Sequence, residues 1–366
     1  MNVYIHSSLS HTACGSSKSQ PLRFHNAANC SLLMPDQVDV PFYSMQGIDI
    51  DTSEQRVFDS LTTVTKQLIE NSGLPPSELK NTALMLGSTS LDIGTIEPNQ
   101  GQNIWLPKID RLSQHLQQSL GLSPCHLIFN TACTASINAL IYGKKLLQHS
   151  QFRHLIVVGC EFYNHLTVDG FHSLDLISKG RLSPFETGRD GLILGEGIGA
   201  LLLSKDKPNR ERYFSLLGGH SACDTSSLTM TAEDGSHITQ VLNQAIARSN
   251  LTAADINLVK VHGTATYNND ISEYNALLQS FSTPPPIIAL KPFIGHTLGA
   301  CGAIEIALMD TLLCAENLPL IETGATDKML PFAATDRALY HYKNMLINHC
   351  GFGGNNAALV LTVVTA

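Results

Sequence analysis

The sequence predicts an α/β protein built from two similar halves, and three observations carry that prediction. Short β-rich apolar runs such as Leu155-Ile156-Val157-Val158 are bounded by turn residues and too short for helices, so they read as fully buried strands. Longer stretches with apolar residues at helical spacing lie between them. A charge-dense, proline-containing break at Lys205 to Arg212 separates residues 1–208 from residues 209–366, and the second part repeats the grammar of the first.

Taken in order, Val3-Tyr4-Ile5 opens the chain as a strand, and a polar, serine-rich connection runs on to about Asn29. Asp51 to Ser72 reads as a helix, Thr82 to Gly87 as a compact strand, Ser88 to Trp105 as a polar surface excursion, and about Lys108 to Leu120 as a second helix. His126 to Phe129 is a short strand, after which Ile137, Leu140, Ile141 and Leu147 mark one face of a helix. Strands follow at Leu155 to Gly159, Gly197 to Ser204 and Ile256 to Val261, then near Ile287, Met345 and Leu359, with a long helix from about Leu298 to Glu316. The two helices, after Cys133 and after Leu298, hold comparable places in their halves.

The chain has 366 residues, 43% hydrophobic and 15% charged, which is enough apolar material for a large core. A net charge of −8 without any Lys/Arg run argues against a nucleic-acid or anionic-membrane binder. Nine cysteines, without a paired framework or a C-x-x-C, are expected to be reduced thiols in a cytoplasm. The first residues do not read as a signal peptide, and no apolar run is long enough for membrane insertion. Cysteines and histidines show no zinc-type spacing, so no metal is expected.

Chemistry concentrates at small-residue elbows. Asn130-Thr131-Ala132-Cys133-Thr134-Ala135-Ser136 puts Cys133 between a strand and a helix start, where unpaired N–H groups and the positive end of the helix favour a nucleophilic thiolate. The competing reading is a small buried hydrophobe. Two of fifteen histidines stand at similar places: His262 opens His262-Gly263-Thr264-Ala265-Thr266 after a strand, and His296 lies in Lys291-Pro292-Phe293-Ile294-Gly295-His296-Thr297-Leu298-Gly299-Ala300. Gly351-Phe352-Gly353-Gly354 is a fourth such turn. Convergence of elbows at strand ends is how α/β active sites are assembled.

These motifs, with Pro184 to Gly191, Gly195-Glu196-Gly197, Asn269-Asp270 and Glu305, run in an order that resembles the β-ketoacyl-acyl carrier protein synthases of the thiolase superfamily, from about Thr82 to the C-terminus. The resemblance implies a duplicated five-layered αβαβα thiolase fold that usually dimerises. It implies decarboxylative Claisen condensation in fatty acid or polyketide synthesis, aryl polyenes included. Cys133 would take an acyl chain from a carrier-protein thioester. His262 and His296 would hold the malonyl thioester carbonyl as carboxylate departs. Lys291 and Glu305 would support the histidines, and the N–H groups of Cys133 and Phe352 would form a second oxyanion hole. Thr264 and Thr266 would bond the phosphopantetheine arm, Phe352 would gate the cysteine, and Phe171 would line the acyl pocket. No cofactor is implied, since phosphopantetheine arrives on the carrier protein.

The sequence departs from the family pattern at Ala265, where glycine is common, at Ile294, where a small hydroxyl residue is common, and at His349-Cys350, where Ser-Phe is usual. Cys350 raises thiolase chemistry as a rival, which Lys291 and the Gly-His-Thr-Leu-Gly-Ala run oppose. A second alternative is a chain-length-factor subunit, paired with a paralogous synthase in a heterodimer and not itself the main catalyst. Retention of Cys133, His262 and His296 favours a catalyst, as homodimer or heterodimer. An acidic carrier protein requires a basic patch, for which Lys144 with Lys145, Lys179 with Arg181, and Lys205 with Lys207 are candidates.

Overall fold

The computed structural model describes residues 2–16, 40–45, 52–96, 109–225, 231–318, 330, 332–333 and 336–366. The serine-rich connection up to Asn29 and the part of the polar excursion around Trp105 fall largely outside the described residues.

Ten strands form two sets of five. The first set is β1 (Val3–Thr12), β2 (Thr82–Gly87), β3 (His126–Phe129), β4 (His154–Glu161) and β5 (Gly197–Ser204). The second is β6 (Arg212–Cys223), β7 (Leu258–Lys260), β8 (Ile287–Ile288), β9 (Asn344–Cys350) and β10 (Asn355–Thr365). The spatial order is β3-β2-β4-β5-β1 in the first and β8-β7-β9-β10-β6 in the second. Each set therefore repeats one topology, its first three spatial neighbours parallel and its last two pairings antiparallel. Val3 and Tyr4 of β1 pair with Leu216 and Ser215 of β6, joining the two sheets at one corner. The charged break at Lys205 to Arg212 is the connection from β5 to β6.

Strand alternation explains the layering, because successive side chains point to opposite faces. Leu84, Leu86, Ile156, Val158, Ala200 and Leu202 face Val57, Leu61, Val64 and Leu68 of α1 (Glu54–Ser72) and Leu112 and Leu116 of α2 (Arg111–Ser119). Their neighbours Ala83, Met85, Leu155, Val157, Leu201 and Leu203 face inward, onto α3 (Ala135–His149) and, later in the chain, Cys301–Leu312. The second sheet contributes Met345, Ile347, Leu359 and Leu361 to this same central cluster. Its other face, with Val259, Leu346, Ala358 and Val360, is covered by two further helices, Ser236–Arg248 and Tyr267–Ser280. With the short helix His165–Ser173 counted as α4, these three become α5 (Ser236–Arg248), α6 (Tyr267–Ser280) and α7 (Cys301–Leu312). The layers are α1/α2, sheet, α3/α7, sheet, α5/α6, the αβαβα stack that the family resemblance implies.

Two elements differ from expectation. The opening strand runs to Thr12 rather than Ile5, since its serines and histidines pair with β5 and Ser8 bonds Asp310 at 2.6 Å, a partner 302 residues away that no local pattern reveals. The long helix from Leu298 is a 3₁₀ turn, Leu298–Ala300, followed by α7 from Cys301 to Leu312. Leu298 has φ +40°, outside the helical region, which explains the separate turn.

Candidate active site

Strand β3 delivers the chain to Ala132, which sits at φ +47°, a left-handed conformation that costs a non-glycine residue energy. That kink throws Cys133 into a 3₁₀ turn, Ala132–Thr134, ahead of α3. Local bonds hold the turn: Thr134 Oγ1 donates to the Thr131 carbonyl at 2.7 Å, and Asn138 Nδ2 donates to Thr131 Oγ1 and Asn355 Oδ1, both at 2.9 Å. The bond to Asn355 ties the cysteine elbow to the Gly351–Gly354 turn. A Cβ added at Gly351 would stand 3.0 Å from the Asn355 carbonyl oxygen and in van der Waals contact with the Cys133 nitrogen at 3.4 Å, so the two turns pack on each other.

His296 Nε2 lies 3.1 Å from Cys133 Sγ. The His262 ring crosses the His296 ring edge to face, centroids 5.2 Å apart, and the three side chains bring a sulfur and two ring nitrogens within 4.8 Å of one another. His262 is fixed by its backbone: its N–H and that of Gly263 both donate to Glu273, at 2.7 and 2.9 Å, and Asn348 Nδ2 donates to the same carboxylate at 2.7 Å. His296 is also fixed by its backbone: its N–H donates to the Ile193 carbonyl at 2.7 Å and its carbonyl accepts the Gly195 N–H at 3.1 Å, while Glu161 holds the following turn by accepting the N–H of Gly299 at 2.9 Å together with those of Thr89 and Ser90.

Electrostatics correct one expectation. Cys133 is not a low-pKa thiolate: burial pushes its thiol up to about 11, against the partial relief supplied by the Lys291 ammonium and the N–H of Phe352. Desolvation at a buried sulfur outweighs the positive end of a helix that begins two residues later. Burial, and then the Lys291 charge, also pushes His262 and His296 well below the usual imidazole range. Both shifts favour a neutral thiol beside a neutral imidazole, at a distance that allows a proton to pass between them.

Lys291 Nζ meets Glu305 Oε1 at 2.9 Å, both fully buried. Desolvation works against both charges, yet their attraction raises the Lys291 pKa and, with Lys260, lowers that of Glu305. Thr264 and Thr266 share a hydroxyl bond of 2.9 Å. Phe171 on α4 stacks on Phe352, 5.2 Å between centroids and 13° from parallel, at the cysteine.

A cavity of about 410 Å³ is lined by Cys133, His262, His296, Thr264, Thr266, Phe171 and Phe352 together. Lys291 and Glu305 lie behind it. Glu161, Glu273, Asn355 and Lys260 escape a sequence reading, because their partners are backbone N–H groups, the Asn138 amide or a buried carboxylate, brought to them only by the fold. The cluster's own signal was the buried-strand position of charged residues: Glu161 and Lys260 both sit in strands of wholly buried pattern. Of the candidate basic patches, Lys145 stacks over Tyr142 at 4.6 Å, Lys205 donates to the Ser150 carbonyl at 2.9 Å, and Arg181 pairs with Glu186 at 2.7 Å.

Both the sequence and the fold match known proteins. Residues 44–209 match the Beta-ketoacyl synthase, N-terminal domain family, and residues 213–320 the Beta-ketoacyl synthase, C-terminal domain family. The chain belongs to the β-ketoacyl synthase family, and its layered architecture is the thiolase fold. The chloroplastic 3-oxoacyl-[acyl-carrier-protein] synthase II of Arabidopsis thaliana is 33% identical over 189 residues, 48% of this chain and 35% of that one. The 3-oxoacyl-[acyl-carrier-protein] synthase 2 of Vibrio harveyi is 26% identical over 273 residues, 69% of this chain and 65% of that one. The matched part thus spans between about a third and two thirds of these curated relatives. Among solved structures, a ketosynthase in complex with its chain length factor from Xenorhabdus doucetiae aligns over 99% of this chain and 98% of that chain, with a TM-score of 0.83 and 22% identity. A β-ketoacyl synthase from Burkholderia phymatum aligns over 99% of both chains, with a TM-score of 0.81 and 19% identity.

Proposed function

We propose that the protein is a β-ketoacyl-acyl carrier protein synthase, joining an acyl thioester to malonyl-carrier protein by decarboxylative Claisen condensation in fatty acid or polyketide synthesis. The observation that carries this reading is the contact of Cys133 Sγ with His296 Nε2 at 3.1 Å, with His262 beside it in one cavity. In the first step Cys133 passes its proton to His296 Nε2 and attacks the incoming thioester carbon; the carrier-protein thiolate leaves with a proton from water, and His296 gives up its Nδ1 proton to water, so that it ends neutral with Nε2–H. The N–H groups of Phe352 and Cys133, both directed at the sulfur, are suited to the oxyanion that forms there.

In the second step the malonyl thioester oxygen sits between the Nε2–H donors of His262 and His296. Both imidazoles are neutral, so they stabilise the enolate by hydrogen bonding as the carboxylate departs as carbon dioxide or bicarbonate. The enolate carbon attacks the acyl-cysteine and expels the Cys133 thiolate. Lys291 and Glu305 hold the field behind the histidines, Thr264 and Thr266 present hydroxyls to the phosphopantetheine arm, and Phe171 with Phe352 screens the cysteine from water. No metal or redox cofactor enters this scheme.

The partner is an acyl carrier protein in the cytoplasm, docking near Lys179 and Arg181. Leu174 to Leu176 and Arg189 to Leu192, which line the cavity on either side of these residues in sequence, favour that patch over the other two. No described helix is long and apolar enough to cross a membrane. A paralogous synthase-like subunit is the expected partner if the dimer is mixed, but a role as a chain-length factor alone is disfavoured by the assembled cysteine and histidines. Intact mass after incubation with acyl-carrier protein, then malonyl-carrier protein, tests the reading. An acyl adduct that discharges with ketoacyl product supports it; no adduct, with acylation only of a co-purified synthase-like chain, overturns it.

A further inference from the structure

Behind Cys133 lies a buried polar chain that the condensation scheme does not use. Lys260, Glu305, Cys301 and His349 are all fully buried. Glu305 is gripped by two lysines, Lys260 on Oε2 and Lys291 on Oε1, so the cluster holds two cations against one carboxylate. Lys260 Nζ also meets His349 Nε2 at 2.9 Å, His349 Nδ1 meets Cys301 Sγ at 3.1 Å, and Cys301 Sγ meets the Cys133 carbonyl oxygen at 3.1 Å.

Donor chemistry gives this chain one direction. An ammonium has only donors, so His349 Nε2 accepts and its proton resides on Nδ1. That Nδ1–H donates to Cys301 Sγ, leaving the Cys301 S–H to donate to the Cys133 carbonyl. A buried lysine in excess of its counter-charge is a poor device for stability, since apolar replacement of such groups is often neutral or favourable.

We propose that Lys260 and His349 are positioning residues for the nucleophile: through Cys301 they clamp the backbone of the Cys133 elbow, and Lys260 adds a second cation beneath the site. The inference rests on the ketosynthase reading only in taking Cys133 as the nucleophile. The titratable and charged groups around the site come from several elements: His262 after β7, Lys291 and His296 before α7, Cys301 and Glu305 on α7, His349 and Cys350 on β9, Glu161 on β4, and Glu273 on α6. Lys260 is also among the charges that depress His262 and His296, after burial and Lys291.

The test is iodoacetamide alkylation of the full chain from pH 6 to 10, read as the rate at the Cys133 peptide. Lys260→Met slows alkylation roughly tenfold across this range, where the rate follows the thiolate fraction, as a one-unit rise of the thiol requires. His349→Leu slows it by less. Cys301→Ser keeps a donor to the Cys133 carbonyl and stays near wild type, while Cys301→Ala slows alkylation severalfold. A wild-type profile in Lys260→Met overturns the proposal. If that variant does not fold, the Cys301 pair decides, and equal rates for serine and alanine overturn it. Alkylation needs no carrier protein, so absence of an acyl adduct in the wild type would count against the ketosynthase reading alone.

Discussion

The chain makes the same elbow twice and uses it differently each time. In the first half, Ala132 at φ +47° leads into the 3₁₀ turn Ala132–Thr134 and then α3. In the second, Leu298 at φ +40° leads into the 3₁₀ turn Leu298–Ala300 and then α7. Position for position, Cys133 corresponds to Gly299. The two helix starts pack against each other, with the Ala303 N–H donating to Ser136 Oγ at 3.0 Å and Gly302 so close that a Cβ would stand 2.7 Å from the Ile137 nitrogen. Where one elbow presents a sulfur to the cavity, the other gives its N–H to Glu161 and lets His296, three residues earlier, reach that sulfur. Strain in the backbone is thus a property of the duplicated fold, and the chemistry lies in what each elbow carries.

The largest effect separates the elbows by function. Cys133→Ala abolishes acyl transfer outright, measured as loss of the adduct mass, while leaving the fold intact. Next, His262→Ala and His296→Ala each lower malonyl decarboxylation by about 100-fold or more, since each removes one oxyanion donor, and His296→Ala also slows acylation. The companion change in the second elbow is structural: a Cβ at Gly299 would stand 2.5 Å from the Thr89 nitrogen. Gly299→Ala therefore destabilises the protein by about 1–3 kcal/mol, read by denaturant melts, and misplaces His296 as well.

Smaller effects sharpen the comparison through pH and packing. Burial depresses His262, His296 and His349 well below their ordinary 6.5. Below pH 6.5 the unfolded chain takes up protons that the folded one refuses, so their contribution is full above 6.5 and drains as the pH falls toward the folded values. Asp270, held up to about 7 by burial, acts with the opposite sign, its contribution lost as pH rises from 3.8 to 7. Asp270→Asn should therefore steepen the loss of stability on acidification, seen in urea midpoints between pH 4 and 7. Smallest of all, Ser136→Ala leaves the Ala303 N–H without its acceptor and costs about 1 kcal/mol, with Cys133 alkylation unchanged.

Much of this was legible in the sequence because strands and elbows are local signals. The compact apolar run in Thr82–Gly87 and the small residues around Cys133, His262, His296 and Gly351 each declare themselves within about ten residues. The ionisation of Cys133 was not legible, because it depends on burial beneath parts of the chain far away in sequence. Lys260 and Glu161 escaped for a related reason: each lies in an apolar strand, and the backbone groups or carboxylate that explain it arrive 45 or more residues away. His349 was visible only as a departure from the family pattern, without the Lys260 and Cys301 contacts that give it a place.

The central claim is a division of labour, in which the Cys133 elbow accepts the acyl group and the two histidines run the malonyl step. Single-turnover intact mass on His262→Ala tests it most directly. The account predicts that acyl-carrier protein loads Cys133 in this variant and that the adduct then persists when malonyl-carrier protein is added. Discharge of the adduct at the wild-type rate, or failure of a folded His262→Ala to load at all, would contradict it.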